Sequence, residues 1–222
     1  MAQPKITFYV DIVSPFGYIA FYILKNSPVF KQCEITYVPI LLGGLMKTCG
    51  NTPPLQVKNK DKWIENERRR LSKHFNVPML QEAPPGFPTN TLPVQRALVA
   101  LSLSHPHKLE SAVALFWDNF WVQWNDPNKP ENMLAILRSV LGSDEEAKAV
   151  IERTKTEEVK KALSANTNKA FEDGAFGLPW FVAAATNVKG EMEGYWGVDH
   201  MGQLCDHLGL ERPDGKGWRA LL

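Results

Sequence analysis

Phe8-Tyr9-Val10-Asp11-Ile12-Val13-Ser14-Pro15-Phe16-Gly17-Tyr18 changes its periodicity halfway along. Ile6, Phe8 and Val10 alternate with Thr7 and Tyr9, which is the period of a strand. The chain then turns at Asp11 and runs as an apolar helix over about residues 15–24. Ser14 stands where an N-cap belongs, and Pro15 takes the first helical position, where its missing N–H costs nothing. A strand feeding straight into a capped helix aims free amides and a partial positive charge at one point. Phosphate, carboxylate or thiolate suits such a point. On these residues alone, Ser14-Pro15 reads as an ordinary cap.

Moving outward, Glu34–Pro39 reads as a second strand, and strand–helix–strand implies a parallel pair with a right-handed crossover. Residues 40–54 read as an irregular loop, and 58–75 as a charged helix with Trp63, Ile64 and Leu71 on one side. The Pro-rich segment 83–93 breaks the chain. Spacing is then helical over about 94–171, with Gly142 suited to a C-cap and Ser143 to the next N-cap. Trp117, Phe120, Trp121 and Trp124 form an aromatic stripe expected in a bundle core. Strand character returns at Trp180–Ala184, residues 186–190 carry turn chemistry, and 193–196 supply the hairpin partner. A last helix is expected over 199–208, capped by Asp199. The order βαβ, helical block, ββα is an α/β, thioredoxin-like fold with an inserted all-helical subdomain. Residues 1–54 and 156–222 are assigned to the thioredoxin-like domain and 55–155 to the insertion.

At 222 residues, 44% apolar and 22% charged, the composition is that of an ordinary globular chain. A net charge of +1 makes no electrostatic case for nucleic acid or an anionic membrane. No apolar run reaches the 18 or so residues of a membrane span, and Met1 to Ile6 is too short for a presequence. Cys33, Cys49 and Cys205 are odd in number and share no close spacing. They argue for a reducing, intracellular compartment and against a disulfide framework or a zinc site. Ala220-Leu221-Leu222 lacks the basic middle residue of a peroxisomal signal, and cytoplasm, mitochondrion and peroxisome stay unresolved. His74, His105, His107, His200 and His207 show no motif spacing and read as structural or solvated.

Asp11-x-x-Ser14-Pro15-Phe16 after an N-terminal strand resembles the opening of kappa-class glutathione transferases and of 2-hydroxychromene-2-carboxylate isomerases. Both belong to the thioredoxin-like superfamily, on the disulfide-oxidoreductase branch that carries a helical insertion. Redox members have Cys-x-x-Cys where this chain has Ser14-Pro15-Phe16-Gly17, without sulfur. Three further segments carry the resemblance: Gly50-Asn51-Thr52-Pro53-Pro54, Ala175-Phe176-Gly177-Leu178-Pro179 and Trp196-Gly197-Val198-Asp199.

The resemblance implies a glutathione site. Ser14 would stabilise the thiolate as the catalytic residue, and Asn51 and Lys60 would contact glutathione. Lys58 and Lys62 flank Lys60, and the polar segment leaves the choice among the three open. The proline before the strand is usually cis in thioredoxin-like proteins, so Leu178 and Pro179 would offer a backbone edge to the peptide. The amides of Val198 and Asp199 would take the γ-glutamyl carboxylate, and the Asp199 side chain its amino group. Where the family often has Ser, this chain has Val198, so only the amide remains there. Implied overall is a homodimeric glutathione transferase acting on small electrophiles. An isomerase using the same thiolate reversibly, and a non-catalytic glutathione- or peptide-binding module, are the alternatives.

Overall fold

Alternation puts Ile6, Phe8 and Val10 on one face of strand β1 (Lys5–Val10) and Tyr9 on the other, and both faces are covered. In the computed structural model, which describes residues 3–184 and 192–211, β1 lies inside a four-stranded sheet. β2 (Glu34–Pro39) pairs with β1 in parallel; β3 (Trp180–Ala184) pairs antiparallel on its other side, and β4 (Met192–Trp196) antiparallel to β3. Phe8 stands opposite Phe181, and Tyr9 opposite Trp180. Helix α1 (Pro15–Asn26) makes the crossover from β1 to β2.

Between β2 and β3 the chain is helical: α2 (Leu42–Thr48), α3 (Lys60–His74), α4 (Leu92–Ser104), α5 (Leu109–Trp121), α6 (Pro130–Leu141), α7 (Asp144–Arg153) and α8 (Glu157–Glu172). Helix α9 (Met201–His207) follows β4. This is the α/β, thioredoxin-like fold with helical insertion that the sequence implies. Apolar packing runs unbroken from sheet to helices: Trp117 of α5 stacks on Phe8 at 6.4 Å and meets Phe21 of α1 at 5.0 Å. The opposite face packs Tyr9, Trp180 and Val182 with Leu45 and Ala170, from α2 and α8.

Local signals at several ends hold. Gly142 ends α6 in the left-handed region at φ 74°, and Ser143 Oγ accepts from Glu146 N at 3.2 Å to start α7. Other expectations need correction. Residues 40–54 are not loop throughout, because α2 forms despite Gly43-Gly44, with Leu45 and Met46 buried. Two tertiary bonds fix its start: Leu41 N donates to Thr167 Oγ1 (3.1 Å) and Leu42 N to Asp11 Oδ2 (2.8 Å). Trp124 leaves the aromatic core, since α5 ends at Trp121 and Trp124 turns outward at φ 53°, whereas Trp117, Phe120 and Trp121 are buried. The turn expected at 186–190 lies outside the described residues.

Candidate active site

Strand β1 ends at a carboxylate that water does not reach. Asp11 is fully buried and accepts four hydrogen bonds from three separate segments. Val13 N (3.2 Å), Thr91 Oγ1 (2.6 Å) and Gln95 Nε2 (3.0 Å) donate to Oδ1, and Leu42 N (2.8 Å) to Oδ2. Burial pushes the carboxyl up to about 6, against those four bonds, which pull it down. Asp11 therefore ties the turn before α1 to α2 and to the first turn of α4.

Upon that floor sits Ser14, 3% exposed, with its backbone N donating to Asp11 O at 3.0 Å. It is the N-cap of α1 as expected: extended at φ −81°, ψ 112°, with Oγ accepting from Gly17 N at 3.0 Å. A hydroxyl that accepts one bond still has a proton to donate. The first turn of α1 carries no acidic residue to offset its positive end. A Cβ on Gly17 would lie 3.2 Å from Ser14 Oγ and 3.4 Å from Trp117, so the glycine keeps that hydroxyl uncrowded. Trp121 Nε1 donates to Ile12 O at 3.0 Å, clamping the turn from the helical block.

The register brings a second element alongside. Because Trp180 pairs with Tyr9, the Leu178–Pro179 peptide, which is cis, follows β1 toward the turn that carries Ser14. Pro179 O accepts from Gly197 N at 3.0 Å, which joins this loop to the segment after β4. There Val198–His200 form a 3-10 turn that packs on α1, with Val198 buried. Asn51 Nδ2 donates to Phe176 O at 2.8 Å, so the 50–54 loop is pinned to the loop that leads into Pro179. Ser14, Leu178, Pro179, Val198 and Asp199 thus share one end of the sheet, with Asn51 tethered to its edge.

Two expectations fare differently. Asp199 is not a helix cap: α9 starts only at Met201, and neither it nor the 3-10 turn has a side-chain cap bond. Gly197 at φ 92° starts the turn earlier, and the Asp199 carboxylate folds back over it, with Oδ2 3.4 Å from His200 Nδ1. Substituting Gly197 would drive a Cβ into that carboxylate. Lys60 opens α3, exposed like Lys58 and Lys62, and no hydrogen bond or ion pair among the described residues draws its ammonium to the cluster. Sequence reasoning assigned no role to Asp11, although the residue belongs to the Asp-x-x-Ser-Pro motif. It missed Thr91 and Gln95 altogether, and their only local signal is two polar residues, four apart, at the start of an apolar helix.

Comparison with known proteins agrees with this architecture. The DSBA-like thioredoxin domain family matches residues 5–209. Human glutathione S-transferase kappa 1 is 31% identical over 206 residues, covering 90% of this chain and 89% of the relative. Among solved structures, a 2-hydroxychromene-2-carboxylate isomerase superposes with TM-score 0.75 at 21% identity, covering 92% and 94% of the two chains. The cytosolic disulfide reductase DsbM from Pseudomonas aeruginosa with GSH superposes at 0.59 and 13% identity, covering 92% and 96%.

Proposed function

The chain belongs to the kappa-class glutathione transferase family, within the DSBA-like thioredoxin domains, and on that premise we propose that Ser14 ionises glutathione for attack on small electrophiles. The carrying observation is the double use of one hydroxyl. Ser14 Oγ accepts from Gly17 N and keeps its own proton for an anion at the positive end of α1. A thiol near pKa ~8.5 is only ~3% thiolate at neutral pH. A hydroxyl donor with helix-terminal amides lowers that pKa by about two units, leaving most of the thiol ionised. The thiolate forms the S–C bond, and the electrophile's leaving group departs with the electron pair.

Around the sulfur, the Leu178 backbone and Pro179 would hold the peptide, and the amides of Val198 and Asp199 the γ-glutamyl carboxylate. The Asp199 carboxylate would hold the γ-glutamyl ammonium, and Asn51 and Lys60 would meet the remaining polar groups. A homodimer follows the resemblance to the kappa class, and a reducing intracellular compartment follows the odd, widely spaced cysteines.

The test is the ultraviolet absorbance of bound thiolate, titrated against pH, beside turnover of chlorodinitrobenzene. Ser14→Ala should raise the thiol's apparent pKa by one to two units, roughly, and slow conjugation about tenfold to a hundredfold. It should also cost ~1 kcal/mol of helix capping. Superimposable titrations would reduce Ser14 to a cap. Glutathione binding without turnover of any electrophile would favour a non-catalytic binding module.

A further inference from the structure

Helices α2, α4 and α8 meet around a cleft of about 300 Å³ that contains none of the residues assigned to glutathione. Each helix sends one cation to its lining: Lys47 from α2, Arg96 from α4 and Lys160 from α8. Leu41, Leu92 and Leu163 give it an apolar wall. One carboxylate opposes the cations: Glu157 Oε1 lies 2.6 Å from Lys160 Nζ, and Lys160, then Arg96, hold its carboxyl below the usual range. The lining itself holds these three cations and no carboxylate, which leaves the cleft cationic. Arg96 Nε is buried and has no hydrogen-bond partner among the described residues. A buried donor without an acceptor is costly, and a cation-lined cavity beside it is where an acceptor would fit. The volume lies at the small end of the range for small-molecule sites.

We propose that this cleft binds a small organic anion, its oxyanion head on Arg96, Lys47 and Lys160 and its short apolar body against Leu92 and Leu163. Arg96 supplies the planar donor fork that suits an oxyanion, and the lysines supply charge. The inference stands independently of the glutathione reading.

Calorimetric titration of the full chain with hexane-1-sulfonate tests it, with hexan-1-ol and inorganic sulfate as the apolar and anionic halves alone. One sulfonate should bind per chain, at least about tenfold more tightly than either half. Arg96→Gln should weaken it about tenfold or more, and Lys47→Gln, at an exposed position that leaves the fold intact, by several fold. Ser14→Ala should leave sulfonate affinity unchanged. Hexanol binding as well as hexanesulfonate overturns the anion site, and sulfate binding as well overturns the apolar part. Unchanged affinity in Lys47→Gln and Arg96→Gln overturns the residues, and loss of binding in Ser14→Ala places the anion in the glutathione site instead.

Discussion

The turn that ends β1 and the turn that follows β4 each carry an aspartate, and the two are held in opposite ways. Asp11 is sealed from water and takes donors from three segments of the chain. The Asp199 side chain is 48% exposed, with His200 Nδ1 3.4 Å from its carboxylate. At the first turn the fold consumes the carboxylate's bonding capacity; at the second it leaves that capacity for something else. A site made this way has a floor that the fold owns and a rim that the ligand completes. Floor variants should therefore lose stability together with activity, and rim variants should lose affinity alone.

The sharpest way to break this contrast is Asp11→Ala. It strips the acceptor from Val13 N, Leu42 N, Thr91 and Gln95 at once and should cost roughly 3–5 kcal/mol in a denaturant melt. A loss under about 1 kcal/mol would mean the network is ornamental. Next in size is a pH effect of the native residue. Its carboxyl sits at about 6 in the fold against an ordinary 3.8, so between these the folded state holds the extra proton. Asp11's contribution therefore falls as pH rises through that window and levels off above it, by roughly 3 kcal/mol at most. Unfolding measured from pH 4 to about 7 should show this slope, and Asp11→Asn should remove it.

At the rim, Asp199→Asn should leave the melting temperature unchanged, because no cap bond is lost. Losing a charge-assisted bond to the γ-glutamyl ammonium should weaken glutathione binding about tenfold to a hundredfold by calorimetry. Wild-type affinity in this variant would remove Asp199 from the ligand set. The smallest effect belongs to Lys60→Gln, at an exposed position: about fivefold in glutathione affinity at most, and less at high salt. A comparable loss in Lys58→Gln or Lys62→Gln would reassign the contact.

The parts of the site legible in the chain are those whose signals are local. Ser14, Pro15 and the glycine three positions after Ser14 encode the cap among themselves, and the geometry repeats the reading. Pro179 before an apolar strand likewise marks its own loop. Asp11's partners were beyond reach because Thr91 and Gln95 lie 80 and 84 residues away, at the start of a helix whose sequence reads as plain core. Helix α2 was missed for a related reason. Its glycines disfavour a helix, and the bonds that start it come from Asp11 and Thr167, neither of them local. Asp199 misled because an Asp before an apolar run is a good cap by statistics, whereas Gly197's positive φ begins the turn too early for it.

Because β1 lies between β2 and β3, the chain's first strand must wait for one of its last. Phe8 meets Phe181 only after the whole helical segment has been made. During synthesis, β1, α1 and β2 emerge early with one edge of β1 open, and Ser14 is then a cap with no pocket. Helices α3 to α8 can form locally in the meantime, but pairing across so long a loop comes late and slowly. A ribosome stalled before residue 180 would hold most of the mass of this protein, Ser14 included, with the active site still unassembled.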